Sequence, residues 1–365
     1  MSISTSVPSL DSILSAHQQL KQQRPLVQCL TNTVSVNFMA NVLLSAGASP
    51  AMVDNPEESA EFAQFAQGIV VNLGTPTSAL VEAMRLAIMK AHEIGKPWVL
   101  DPIAAGALSW RGQLAADFLK YQPTVVRGNA SEIIGLAGLG HNSKGFDSSN
   151  DPADAVGAAL SLLDHTQVVS ASGAIDHIVA KTLENYQEKF WLAKIKGGSE
   201  FFPLVTASGC SLGALVAAYT GITDPFNAVV SAHAHFAVAG KKAHLTTLAP
   251  GDFQREFINQ LYLVNADDFA TYLDFSIEEL QAVCIGDGPI DAAFLAIEQI
   301  IGHHYELDDF QITSVTEGKE AMGSALVKLR AGGKLYSGNG ISTDIISASI
   351  RAYINAVNKI VYEEA

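Results

Sequence analysis

Three observations predict an α/β body with a mostly parallel sheet, followed by a small α+β module. Short apolar stretches alternate with helix-patterned ones through about residue 270, the signature of strands linked by crossover helices. Those stretches end in polar or glycine residues: Asn32, Gly74-Thr75, Asp101, Arg127 to Glu132, and Ser172-Gly173. Five polar tips at the carboxyl end of one sheet mark a ligand crevice. Beyond residue 273 the order changes to strand, helix, three strands and a helix, so a division is expected into residues 1–272 and 273–365.

The elements follow in order. Leu10, Ile13, Leu14 and Leu20 fall on helical spacing within residues 9–23, and Pro25 ends that helix. Leu26–Leu30 reads as a buried strand, Val36–Ala46 as a helix, and Gly47–Val53 as a turn into a short strand. Glu57–Gln67 is helical, Gly68–Leu73 a strand, and Ser78–Gly95 a helix closed by a C-capping glycine. Trp98–Leu100, Thr124–Val126 and Gln167–Ser170 read as further strands, with helices over Gln113–Lys120 and Pro152–Asp164 and a polar loop at 141–153. His177–Ala180 pairs as a strand with Phe190–Leu192. Val205–Tyr219 reads as a strand–loop–helix junction, followed by helices at Asp224–Ala243 and Gly251–Tyr262. In the tail, Ala282–Ile285 is a strand and Ile290–Ile301 a helix. Phe310–Thr316, Ala325–Leu329 and Lys334–Ser337 are strands, and a last helix opens at Ser342-Thr343-Asp344 and runs to about Val361.

A chain of 365 residues with 48% hydrophobic and 16% charged residues is globular and long enough for two or three domains. A net charge of −15 argues against a general nucleic-acid binder, which needs clustered cations, yet leaves room for an anionic nucleotide in a local pocket. Cys29, Cys210 and Cys284 form no metal-spaced pair or disulfide framework, so a reducing cytoplasm is the expected compartment. The polar N-terminal residues carry no leader pattern, and Ser231, His233 and His235 break the longest apolar window. No membrane partner is expected.

The junction at 205–219 is the chemical centre of the pattern. Unpartnered N–H groups at a helix start, with the helix dipole, favour an anion or a developing negative charge. Small residues at 207–209 admit a ligand to the backbone, and Cys210 falls where a thiol's pKa tends to drop. The same small residues are also expected where a helix simply packs on a sheet. Asp101 and Glu132, in a crevice without His or Cys clusters, suit Mg²⁺ through water; Asp101 before Pro102 also suits a turn. Arg127 fits a phosphate oxygen or an ion pair, and Ser172-Gly173 a second phosphate. Together these suggest phosphoryl transfer from a nucleotide without a P-loop, since no Gly-x-x-x-x-Gly-Lys-Ser/Thr is present. The ten histidines form no metal set and are read as structural or solvated.

Leu30-Thr-Asn-Thr-Val-Ser-Val-Asn-Phe38, Gly47-Ala-Ser-Pro-Ala-Met52, Asn72-Leu-Gly-Thr75, Leu100-Asp-Pro102, Arg127-Gly-Asn-Ala-Ser-Glu132, Ser172-Gly173, Thr206-Ala-Ser-Gly-Cys210 and Pro250-Gly-Asp-Phe-Gln254 resemble the hydroxyethylthiazole kinase family in order and spacing, over residues 9–270. The resemblance implies a ribokinase-like layered fold, a homotrimer with sites at subunit interfaces, and ATP- and Mg²⁺-dependent phosphorylation of 4-methyl-5-(2-hydroxyethyl)thiazole in thiamine salvage. It implies that Met52, Asn32 and Ala207 contact the thiazole alcohol, that Arg127 and Ser172 bind ATP, and that Asp101 and Glu132 organise Mg²⁺. Cys210 stands where related sugar kinases carry an Asp base. A ribokinase-fold kinase of another small alcohol, a hydrate dehydratase and a non-catalytic sensor are the competing readings.

Ala104 and Ala207 stand where the family frequently has glycine. Residues 282–361, with Gly286-Asp-Gly-Pro-Ile-Asp-Ala292 and Gly338-Asn-Gly-Ile-Ser-Thr-Asp-Ile-Ile-Ser-Ala348, resemble part of the C-terminal regulatory domain of 2-isopropylmalate synthase. That domain dimerises and binds leucine. Here it is expected as a partial module with a packing or dimerising role.

Overall fold

The computed structural model describes residues 6–138, 152–184, 187–280, 288–301, 303–314 and 322–364. The chain divides between Glu279 and Leu280 into two compact units, each described by itself.

The first unit is built on a nine-stranded sheet in the order β2-β1-β3-β4-β5-β6-β7-β8-β9. Its strands are β1 (Leu26–Leu30), β2 (Ser49–Ala51), β3 (Gly68–Asn72), β4 (Trp98–Asp101), β5 (Val125–Asn129), β6 (Val168–Ser172), β7 (Ile175–Glu184), β8 (Gln187–Lys196) and β9 (Asp274–Leu280). From β2 to β6 every pairing is parallel; β6–β7 and β7–β8 are antiparallel. The hairpin thus forms longer than the His177–Ala180 and Phe190–Leu192 cores expected. β3 and β4 are buried along their whole length, as strands covered on both faces must be. Register places Asn72 beside Asp101 and Asn129 beside Ser172. The polar tips therefore meet at one end of the sheet.

Helices α1 (Leu10–Gln23), α2 (Val36–Ala46), α8 (Ser208–Thr220), α9 (Pro225–Thr246), α10 (Pro250–Leu263) and α11 (Ala266–Tyr272) form one group, in which α8 packs on β1, β3 and β4 and α9 on β6 to β8. A second group, α3 (Pro56–Phe65), α4 (Ser78–Ile94), α5 (Ser109–Leu119), α6 (Ala130–Leu136) and α7 (Val156–Leu162), completes the layering. Local chemistry sets the ends. Ser9 and Ser12 make a capping box on α1, Thr77 caps α4, and Gly95 closes α4 in the left-handed region at φ 68°. The helix expected over Pro152–Asp164 begins as a 3₁₀ turn, and most of the 141–153 loop lies outside the described residues. α8 is buried on all sides from Ser211 onward, as a nearly all-apolar helix requires.

One expectation is corrected. No strand leads into α8: Phe202–Leu204 is a 3₁₀ turn and Val205 a single extended residue, because the chain arrives from β8 by a loop rather than from the sheet. β9 adds to the edge of this sheet, so by contact it groups with the first unit. Lys194 to Glu278 (2.7 Å) and Lys189 to Glu279 (3.5 Å) tie it to β8.

The second unit has a three-stranded antiparallel sheet, β10 (Glu306–Ser314), β11 (Gly323–Ala331) and β12 (Lys334–Ser342), with α12 (Pro289–Ile301) and α13 (Ile345–Glu364). Ala325, Val327, Leu329 and Tyr336 are buried with Phe294, Ala352, Tyr353 and Ile360. α13 runs close over β12. A Cβ on Gly338 would lie 1.9 Å from the Ala352 carbonyl oxygen, and one on Gly340 2.0 Å from that of Ala348. The Gly-Asn-Gly motif is a packing device. The expected strand at Ala282–Ile285 and most of Gly286 to Ala292's N-terminal half lie outside the described residues.

A buried imidazole pair sits where α1, α9 and α11 meet. His17 and His235 stand edge to face at 4.7 Å, with Phe269 5.1 Å from His17. His235 donates through Nε2 to the Leu261 carbonyl at 3.0 Å, so its Nδ1 accepts from Tyr219 Oη at 3.1 Å. Burial holds His17 down at about 4, helped by Lys21, and holds His235 well below its ordinary range. Both are neutral when folded, while the unfolded chain takes up protons near pH 6.5. Their contribution to stability is therefore complete above pH 6.5 and is lost as pH falls toward 4. The melting temperature of the first unit should drop across that window, and His17→Leu should flatten the drop in a calorimetric pH series.

Candidate active site

The polar tips form one hydrogen-bonded chain. Asn32, in the turn after β1, donates through Nδ2 to Asn72 Oδ1 at 2.9 Å. Asn72, the last residue of β3, donates to Asp101 Oδ2 at 2.6 Å. Asp101, the last residue of β4, lies 3.8 Å from Arg127 Nη1. Arg127 on β5 donates through Nη2 to Ser172 Oγ at 2.6 Å, and Ser172 donates in turn to the Gly128 carbonyl at 3.2 Å. Asn32 also approaches the Cys210 sulfur at 3.7 Å. Six predicted or motif residues thus join across five elements. Close packing enforces the arrangement at its start: a Cβ on Gly74 would lie 2.5 Å from Asn32 Nδ2.

Asp101 is fully buried, and its Oδ1 has no partner among the described residues. Arg127 Nε is likewise unpartnered and buried. An unspent carboxylate oxygen and an unspent guanidinium N–H at the floor of a crevice are costly unless something is bound there. Burial raises the Asp101 carboxyl to about 7; Arg127 opposes that rise, Glu132 adds to it, and the Asn72 hydrogen bond also opposes it.

Glu132 behaves differently. Its Oε2 accepts from the Asn129 N–H at 2.8 Å and its Oε1 from the Ala104 N–H at 3.1 Å. It closes a capping box with Asn129 at the start of α6. Burial still pushes its carboxyl upward against those two donors. No group of three His, Cys, Asp or Glu side chains able to hold a metal occurs among the described residues. What remains suits a hydrated Mg²⁺ carried largely by water and phosphate, with Asp101 Oδ1 unpartnered but closed to solvent in this arrangement.

Cys210 lies in the first turn of α8, but its thiol is not depressed. Burial pushes it up to about 11, with the Asp101 charge adding and hydrogen bonds from Asn72 and Asn32 opposing. The expectation of a lowered pKa fails because desolvation outweighs the helix start. The thiol is protonated at neutral pH. α8 has no side-chain cap; its Ser208 N–H donates to the Val205 carbonyl at 3.3 Å, and the N–H groups that follow in the first turn suit an anion.

Beside this chain, a cavity of about 700 Å³ is lined by Arg127, Ser172, Gly173, Lys196, Gly209 and Lys241, among others. Its three cations, Arg127, Lys196 and Lys241, outnumber its two acids, Asp176 and Glu200, and with the helix start they suit an anion. Its lysines carried no distinguishing pattern in the sequence. Met52 follows β2, half buried against the core, and no hydrogen bond or ion pair joins it to the polar chain. Asn32 is fully engaged: its Oδ1 accepts from the Val34 and Ser35 N–H groups, both at 3.1 Å. Asn72 was missed as a site residue; its one clue was a carboxamide closing an otherwise apolar strand.

Both substituted alanines are in the left-handed region, Ala104 at φ 61° and Ala207 at φ 68°. That is why glycine is favoured at these positions. Ala104 presents its N–H to Glu132, and Ala207 is the N-cap of α8.

A sheet-end site that gathers an anion cavity, a buried acid and a helix start defines a small-molecule kinase of ribokinase-like architecture. The chain belongs to the hydroxyethylthiazole kinase family: the family model described as "Hydroxyethylthiazole kinase family" matches residues 17–267. A hydroxyethylthiazole kinase from Rhodococcus erythropolis is 48% identical over 260 residues, 71% of this chain and 92% of the relative. One from Acinetobacter baumannii is 41% identical over 274 residues, 75% and 98%. A solved hydroxyethylthiazole kinase structure from Pyrococcus horikoshii superposes with a TM-score of 0.64 at 31% identity, covering 74% of this chain and 99% of that one. A Staphylococcus aureus pyridoxal kinase with AMP-PCP and pyridoxal, at TM-score 0.50, 17% identity and 70% and 99% coverage, shares the fold. Residues 268–361 match the "LeuA allosteric (dimerisation) domain". That match takes in β9, upstream of the resemblance over residues 282–361.

Ala104→Gly and Ala207→Gly should each stabilise the first unit by about 1 kcal/mol through relief of left-handed strain, read as a rise of roughly 2–4 °C in melting temperature.

Proposed function

We propose that this protein transfers the γ-phosphoryl group of ATP, with Mg²⁺, to the hydroxyl of 4-methyl-5-(2-hydroxyethyl)thiazole, a thiamine-salvage step. The observation that carries the reading is the buried Arg127 guanidinium, which grips Ser172 at the rim of a cationic cavity while facing a buried acid with an unspent oxygen.

In this reading Arg127 and Ser172 hold the nucleotide phosphates, and the opening N–H groups of α8 stabilise the charge on the group in transfer. Asp101 offers Oδ1 to the hydrated metal, whose contribution is to neutralise phosphate charge. Glu132 acts through position: its two backbone bonds hold the Asn129 and Ala104 turns. Ala207 and Met52 contact the thiazole, and Asn32 acts by holding the Cys210 sulfur beside the alcohol. A protonated thiol is a poor base, so Cys210 orients the hydroxyl rather than removing its proton.

The catalytic domain is taken as residues 1–272 and the tail as 273–365, with β9 packed on the sheet of the former. A homotrimer formed through the kinase domain, a dimerising tail and a cytoplasmic location complete the proposal. No helix among the described residues is long and apolar enough to cross a membrane.

A coupled assay with ATP, Mg²⁺ and a panel of small alcohols tests the reaction; turnover without preference for the thiazole alcohol refutes the substrate. Cys210→Ala should keep measurable activity and Cys210→Asp should match or exceed wild type. Complete loss in both would restore an essential thiol. Titration calorimetry with leucine addresses the tail: a packing or dimerising role predicts no heat at millimolar ligand.

A further inference from the structure

Behind the phosphate cavity lies a buried set that none of the foregoing uses. His233, on α9 and fully buried, places Nδ1 2.7 Å from Asp176 Oδ2 and Nε2 2.8 Å from Ser170 Oγ. The order Ser–His–Asp matches a hydrolase triad, but Ser170 is 0% exposed. A nucleophile must reach a substrate atom, and this hydroxyl reaches only the imidazole.

The other end of the set points toward the cavity. Asp176 Oδ1 accepts from the Gly173 N–H at 2.9 Å. Gly173 is the first residue of the tight turn between β6 and β7, directly after Ser172, and Gly173, Ser172 and Asp176 all line the cavity. Asp176 is an anion beside a site for anions, and such a carboxylate opposes phosphate unless its charge is shared. Both of its oxygens are engaged, Oδ1 by the turn and Oδ2 by His233. Since an ionised carboxylate only accepts, the proton between them belongs to His233 Nδ1.

We propose that His233 is a positioning residue for nucleotide binding: through Asp176 it fixes the Ser172–Gly173 turn and shields the Asp176 charge from the bound phosphates. This rests on the kinase reading, since it needs an anionic nucleotide in the cavity. It assigns His233 to one substrate only. α9 thereby serves the nucleotide through Asp176 as well as through Lys241, which lines the cavity directly.

Side-chain geometry supplies the test. In the full-length protein, His233→Asn places an amide N–H near the position of Nδ1 and keeps the bond to Asp176. His233→Gln extends past it toward Ser170, and His233→Ala reaches neither. Calorimetric binding of a non-hydrolysable ATP analogue is measured alongside kcat and both KM values. Ala and Gln should weaken analogue binding and raise the ATP KM about tenfold, the loss expected for one hydrogen bond to a charged group. The alcohol KM and kcat should change less than about threefold. Asn should recover most of the loss, and Ser170→Ala should stay within about twofold of wild type. A core-filling role predicts the reverse, with Gln no worse than Asn and both substrates affected alike; that result overturns the inference. Should the Ala variant fold poorly, the Asn and Gln pair carries the comparison alone. A wild-type protein that binds no analogue overturns the kinase reading and this inference with it, whereas tight wild-type binding shared by every variant overturns this inference only.

Discussion

The buried Asp101 carboxylate is the constraint on which the active end of the sheet depends. Removing a carboxylate from water is expensive unless donors and counter-charge are brought to it. Here Asn72 gives an N–H from β3 on one side and Arg127 a guanidinium from β5 on the other, which ties three neighbouring strands together. Neither donor reaches Oδ1. One carboxylate oxygen is thus left without a protein donor, which is what makes Asp101 the residue proposed above to serve the metal. The same burial that raises the Asp101 carboxyl keeps Cys210 protonated: desolvation and the neighbouring carboxylate both disfavour a thiolate.

The parallel architecture was legible from the chain because each strand carries its own evidence. Ile69–Val71 and Val125–Val126 are short, β-branched and apolar, and a strand covered on both faces needs little else. The polar tips were legible because a carboxylate, an arginine or an asparagine at the end of such a run has little structural reason to be there. The loop into α8 was not, since Val205 before small residues reads equally as strand or coil, and only the tertiary path from β8 decides. Nor was the edge strand β9. Asp274–Leu280 alternates exposed and half-buried residues, and its pairing rests on lysines of β8 some eighty residues away. Side-chain networks were the least legible. His233 looked like any core histidine because its partners, Ser170 and Asp176, lie about sixty residues upstream.

Two strained alanines mark the difference between motif and geometry. Ala104 and Ala207 depart from the common family pattern, yet the backbone keeps the left-handed conformation that pattern requires. The surroundings over-determine it. Glu132 draws on the Ala104 N–H, and the Ala207 carbonyl accepts from the Ser211 N–H in the first turn of α8. A methyl group is therefore accommodated at the cost of strain rather than by a change of path. The departure bears on how closely a ligand approaches the backbone, not on where the helix start points.

The site also explains why its parts come from so many elements. Phosphoryl transfer asks a protein chiefly to hold charges in place and exclude competing positions, and a parallel sheet delivers successive strand ends to one edge at fixed spacing. Charge on one strand end is then answered from the next: Asn72 beside Asp101, Ser172 bonded to Arg127. Where the parallel run stops, at β6, the turn into β7 has no further parallel neighbour to steady it. The His233–Asp176 pair stands at that point, supplied by α9 from the adjoining helical layer. The helix layer thus does for the last strand end what the sheet does for the others.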